Sequence, residues 1–222
     1  MNRKAETAIL LFSRSARHES HSKLWTQDKT VNAHISQQLL FNTCENLKAA
    51  PFPVFHFDES LQTGDTFAER LSSGFKHIFD KGYLQVIAVG NDCPDLHPDW
   101  KKITEQLRLG KTILGPDRRG GVYLIGISKE SDFEEIFTQI PWKSNKVFDQ
   151  LKTQFTHCYL LDSKQDINTF DEVSKCKPLF KQIKKFLAKN YMAIIHHPTI
   201  TTIPQYQLHL RAPPALPFSR MV

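Results

Sequence analysis

The sequence predicts an α/β fold, a mostly parallel central sheet with helices on both faces, and three observations carry that prediction. Uninterrupted apolar runs such as Ala8-Ile9-Leu10-Leu11-Phe12 suit parallel strands covered on both sides. These runs alternate with stretches whose apolar residues recur at helical spacing. Glycine and acidic residues gather where the runs at 86–89 and 112–114 end and where 122–127 begins, the place where an open α/β sheet presents a charged ligand site.

In chain order, residues 6–12 read as a buried first strand and 13–30 as a polar loop carrying Arg14, Arg17, His18, His21 and Lys23. Val31, Ile35, Leu39, Leu40, Cys44 and Leu47 recur at helical spacing until Pro51 and Pro53 intervene, and 54–57 gives a second strand, completing a βαβ unit. Phe67, Leu71, Phe75, Ile78 and Phe79 form the apolar face of the next helix, closed by Gly82. Strand three is 84–89. Pro98 suits the first turn of a helix carrying Trp100, Ile103 and Leu107, because its missing N–H is not needed there. Residues 112–114 and 122–127 are strands four and five, 132–137 and 144–151 short helices, 158–161 a late strand, and 178–189 an amphipathic helix. Prolines 198, 204, 213, 214 and 217 rule out a continuous helix or central strand near the C-terminus. The expected organisation is one domain over residues 1–190 and an extended arm over 191–222 that wraps the domain, joins a second copy in a homo-oligomer, or stays disordered.

The chain has 222 residues, 40% of them hydrophobic, enough to fill one core. Its formal charge of +6 favours an anionic partner. No nucleic acid partner is expected, because the basic residues are scattered; the six lysines within 175–189 read as a solvated helix face. The four cysteines form no Cys-x-x-Cys pair, which points to a reduced, cytoplasmic chain without a zinc knuckle. No apolar run approaches the roughly 20 residues of a membrane span.

Two constellations carry chemistry. In Gly90-Asn91-Asp92-Cys93-Pro94-Asp95-Leu96, a carboxylate just past a buried strand can hold Mg2+ or Mn2+ against a diphosphate, since hard cations favour oxygen ligands. Asp92 is the principal metal candidate and Asp95 the second. The bland alternatives are a side-chain turn at Asp92 and a helix cap at Asp95. In Gly115-Pro116-Asp117-Arg118-Arg119-Gly120-Gly121, the glycines admit close backbone approach to a ligand and the arginines can pair with phosphate, although paired glycines also make simple tight connections. Trp142 could stack on a sugar or base, or pack in the core. The histidines show no metal-ligand spacing with an acid and read as surface imidazoles.

These two blocks, followed by Phe137-Thr138-Gln139-Ile140-Pro141-Trp142, resemble the bacterial glycosyltransferase-like family labelled rSAM/selenodomain-associated transferase, over about residues 6 to 173. The resemblance implies a glycosyltransferase-A-like, nucleotide-diphospho-sugar transferase fold. It matches Asp92 to the family's metal position, Gly115, Pro116, Gly120 and Gly121 to its glycine-rich loop, Trp142 to its Pro-Trp signature, and Glu69 and Arg70 to its Glu-Arg pair. Two departures stand out. Arg119 occupies a place where many members carry an acid, and the loop holding Phe12, Ser13, Arg14 and Lys23 lacks the family's Pro-Gly-Arg-x-Lys run.

The expectation is a divalent-cation-dependent glycosyltransferase taking a nucleotide-diphospho-sugar and an acceptor that the sequence does not identify. Asp92 would anchor the cation, Arg14, Lys23 and Arg70 would form the basic side of the pocket, and Asp117 would be the general base. Two alternatives remain. A nucleotidyltransferase would want a glycine-rich first loop, which residues 13–23 do not provide. A non-catalytic nucleotide-binding or assembly protein is the reading that Arg119 keeps open.

Overall fold

The computed structural model describes residues 6–195. Its centre is a six-stranded sheet in the order β2-β1-β3-β5-β4-β6. The strands are β1 (Thr7–Phe12), β2 (Val54–Phe57), β3 (Gln85–Val89), β4 (Thr112–Pro116), β5 (Val122–Ser128) and β6 (Cys158–Leu160). β1 pairs in parallel with β2 and β3, and β4 with β6, whereas β5 runs antiparallel to both of its neighbours. The reversal of β5 follows from the short link after β4, since a parallel return needs a crossover of a dozen or more residues. The predicted mostly parallel sheet is thus present, with one reversed strand.

Alternate strand residues feed two cores. Ala8, Leu10, Val86 and Ala88 pack under α3 (Phe67–Asp80), α5 (Phe133–Gln139) and α6 (Val147–Gln154), while Ile9, Leu11, Ile87 and Val89 face α2 (Lys29–Leu47) and α4 (Trp100–Arg108). A third cluster joins Val31, Ile35 and Leu39 of α2 to Val173 of α7 (Phe170–Lys175) and to Leu179 and Ile183 of α8 (Lys177–Ile195). The chain leaves β1 to build β2 on one side and then returns to build β3 on the other. The carboxyl ends of β1 and β3 therefore form a topological switch point, where such sheets hold their ligands.

Four details differ from the sequence reading. The polar loop after β1 contains a short helix, α1 (Ala16–Ser22), and α7 was not anticipated. Helix α4 starts at Trp100 with Asp99 as its cap, so Pro98 lies before the first turn and Asp95 caps nothing. Helix α8 continues to Ile195, because no proline interrupts it before Pro198, so the first five residues of the expected arm are helical. The rest of that arm, with any contact to a second copy, lies outside the described residues. Among the described residues no helix is long and apolar enough to cross a membrane.

Candidate functional site

At the switch point lies a cavity of about 690 Å3. Phe12, Ser13 and Arg14 enter it from β1 and Asn91 and Asp92 from β3, while Lys23 follows α1 and Arg70 projects from α3. Glu19, Glu59, Phe67, Trp142 and Asp166 also line it. Seven of the sequence-derived candidates thus converge on one space: Phe12, Ser13, Arg14, Lys23, Arg70, Asp92 and Trp142. Asp95, Gly115, Pro116, Asp117, Gly120 and Gly121 do not line it.

The deep end is acidic. Lys23 Nζ donates to Asp92 Oδ2 at 2.8 Å, and the Asp92 carbonyl accepts the Ile167 N–H at 2.8 Å. That second bond brings in the segment after β6 and with it Asp166, which is only 7% exposed. The Oδ1 atom of Asp166 is buried without a hydrogen-bond partner. Burial first, then the charges of Asp92 and Asp117 and a hydrogen bond with Asp117, push the Asp166 carboxyl up to about 9. The Lys23 ammonium is raised although its burial opposes this, because Asp92 and then Glu19 favour its charge. Behind Asp92, burial and then the neighbouring Asp166 and Asp92 push the Cys93 thiol up to about 12, which keeps it a thiol.

Glu59 organises the lining contributed by the segment after β1. Its carboxylate accepts the Ser15 N–H and hydroxyl, both at 2.6 Å, and pairs with His18 Nδ1. Burial would raise this carboxyl, but the Ser15 hydrogen bonds and the His18 charge outweigh it and hold it at about 2. Helix α1 buries none of its residues, so these contacts and the Lys23 pair fasten it over the cavity.

Another part of the lining is aromatic and cationic. Phe67 meets Phe12 edge-on at 5.6 Å and Trp142 at 4.9 Å. The Trp142 indole N–H is committed to the Phe137 carbonyl at 2.8 Å, and its ring packs partly into the core against Phe137 at 5.3 Å while also lining the cavity. Glu69 and Arg70 first serve the start of α3. Glu69 closes a capping box with Thr66, and Arg70 Nη1 donates to the Asp65 carbonyl at 2.9 Å. Arg14 is exposed and has no hydrogen bond or ion pair among the described residues.

The glycine-rich loop behaves differently. Gly120 has φ +86°, and a side chain there would overlap the Asn145 carbonyl oxygen. A Cβ at Gly115 would sit 2.6 Å from the Tyr123 ring. Asp117 Oδ1 accepts the Arg119 and Gly121 N–H groups at 2.6 and 2.9 Å, which folds the turn. Asp117 reaches the cavity only through Asp166. Arg119 pairs with Glu172, and Asp95, 67% exposed at its side chain, pairs with Lys164 at 2.7 Å.

Asp92 and Asp166 fit a divalent cation. Two neighbouring carboxylates, one with an orphaned buried oxygen and a strongly disfavoured charge, form a donor set that a hard cation would satisfy. Among the described residues no group of three acidic, His or Cys side chains converges on one such position. Magnesium often takes only one or two carboxylates and completes its shell with substrate phosphates and water. Asp95 does not belong to this set.

Asp166, Glu59 and Glu19 were not found from the sequence. The late strand was expected at 158–161, but the acid that directly follows it is Asp162, and Asp166 lies beyond Ser163-Lys164-Gln165, where no strand-end signal marks it.

A proposed nucleotide-diphospho-sugar transferase from Desulfovibrio desulfuricans G20 is similar in structure, with 20% identity and a TM-score of 0.62, over 75% of this chain and 84% of that one. The homologue of Mycobacterium tuberculosis rv0371c from Mycobacterium sp. strain JC1 matches at 10% identity and a TM-score of 0.51, over 82% and 99%. At these identities the likeness is one of fold, a nucleotide-diphospho-sugar transferase fold. No curated protein matches the chain. Residues 26–144 match the family model described as "Uncharacterized protein conserved in bacteria (DUF2064)", and the chain belongs to that family.

Proposed function

We propose that the cavity binds a nucleotide-diphospho-sugar with a divalent cation and transfers the glycosyl group to an acceptor. The observation that carries this reading is that the interacting Asp92 and Asp166 carboxyls line one cavity with Lys23, Arg14 and Arg70 at the β1/β3 switch point. Asp92 and Asp166 would hold Mg2+ or Mn2+, which supplies charge neutralisation at the departing diphosphate. Lys23 and Arg14 offer donors to phosphate oxygens, and charge-assisted bonds of this kind fix an anionic group firmly. Asp117, whose charge bears on Asp166 while its Oδ1 accepts from Arg119 and Gly121, would act on that carboxyl and not touch the acceptor. Phe67 and Trp142 would bound the sugar or base. In the transfer, an acceptor oxygen bonds to the anomeric carbon, the bond from that carbon to the diphosphate oxygen breaks with its electron pair staying on the diphosphate, and the acceptor proton passes to solvent water.

The test is thermal stabilisation of the protein by nucleoside diphosphates, triphosphates, and UDP-, GDP- and dTDP-sugars, with and without Mn2+. Metal-dependent stabilisation by diphosphates or their sugars supports the reading. Preference for triphosphates redirects it to nucleotidyl transfer onto a phosphorylated acceptor, and no response to any of them overturns it.

A further inference from the structure

We propose that Lys23 is a built-in counter-ion for the cation position, so that a divalent cation gains Asp92 only when a diphosphate draws the Lys23 ammonium away. This rests on the reading that the cavity takes a cation together with a diphosphate. The Lys23 ammonium lies 2.8 Å from Asp92 Oδ2 and 3.7 Å from Glu19 Oε1. The side chains are only 20% exposed at Lys23 and 28% at Asp92, so solvent screens the pair less than an ordinary surface contact. An ammonium and a metal ion sharing one carboxylate repel each other strongly in so shielded a place. A diphosphate resolves the conflict, because its oxygens accept from the ammonium while others complete the cation's shell.

The local architecture permits the exchange. Lys23 is the C-terminal cap of α1, which has no fully buried residue and whose other end is held by Glu59. The helix packs beside α2 and the buried Trp25 anchors the chain just beyond it, so the exchange is a reorientation of the Lys23 side chain, whose flexible four-carbon stem lets the ammonium turn from Asp92 to a phosphate oxygen. Cation and diphosphate then bind with positive coupling, and each raises the affinity of the other by the same factor.

The experiment measures free Mn2+ by electron paramagnetic resonance, titrating the full chain with Mn2+ alone and with uridine diphosphate or methylenediphosphonate. Wild type, Lys23→Met and Lys23→Arg are compared. The proposal expects diphosphate to tighten Mn2+ binding to wild type by roughly 10-fold or more, within the usual range of coupling between two sites. Lys23→Met should bind Mn2+ alone about 10-fold more tightly than wild type and lose most of that coupling, and Lys23→Arg should behave like wild type. Equal Mn2+ affinity in wild type and Lys23→Met overturns the inference and leaves the proposed function standing. Mn2+ that fails to bind wild type even with diphosphate overturns both. The wild-type coupling needs no variant, and Mn2+ binding that ignores diphosphate overturns the inference on its own.

Discussion

The ends of β3 and β4 carry the same kind of sequence, glycine and acid after an apolar run, and they do opposite things. After β3, Asn91 and Asp92 face the cavity and Asp92 meets the ammonium of Lys23. After β4, Asp117 turns back onto its own N–H groups and Gly120 packs against the Asn145 backbone. The difference is topological. β3 adjoins β1 at the switch point, whereas the β4–β5 turn is covered by residues near 145 and by the segment after β6. A strand-end motif therefore becomes a ligand site only where the sheet order leaves room above it.

Substitutions on the two sides should separate stability from binding. The largest loss of stability is expected from Gly120→Ala, which combines a positive φ with a backbone clash. It should cost ~2–4 kcal/mol, read as a lowered denaturant midpoint at an unchanged m-value. A smaller and opposite change is expected from Asp166→Asn. Removing a buried carboxyl whose charge is disfavoured should stabilise the protein by about 1–3 kcal/mol at neutral pH while abolishing Mn2+-dependent stabilisation. A destabilised Asp166→Asn protein would place that residue among the structural supports.

Glu59 supplies the pH dependence. Its folded value of about 2 lies below the ordinary 4.5, so it contributes stability above pH 4.5, which is lost as pH falls through about 2. With discount for its partial exposure, Glu59→Gln should cost roughly 1 kcal/mol near neutral pH. In acid unfolding, variant and wild type should converge towards pH 2. The smallest effect belongs to Arg119→Ala. It breaks an exposed arginine's pair with Glu172 and should change stability by no more than about 1 kcal/mol, with nucleotide binding unchanged. A loss of nucleotide binding would return the glycine-rich loop to the site.

Much of this architecture was legible in the sequence. Continuous apolar strands and helices with a wide apolar face announce themselves because burial dictates them, and every strand fell close to its expected bounds. Helix α1 was invisible because it buries nothing, so no periodicity marks it. Of the site, Asp92, Lys23, Arg14 and Trp142 were found as residues after strands or through the family resemblance. Asp166 was missed because it lies several residues beyond β6 and reaches the site through the long-range Ile167–Asp92 backbone bond, which no local pattern announces. The glycines at 115 and 120 were assigned to a ligand although close approach serves Tyr123 and Asn145, and sequence does not tell which neighbour a missing side chain makes room for.

The central claim is that Asp92 anchors a cation-bound diphosphate. Calorimetric titration of wild type and Asp92→Asn with uridine and guanosine diphosphates, in Mn2+ and in chelator, tests it directly. The account predicts Mn2+-dependent binding by wild type that weakens at least about 100-fold in Asp92→Asn, with the folded state intact by thermal melt. Equal binding by the two proteins, or binding by wild type that ignores Mn2+, would contradict it.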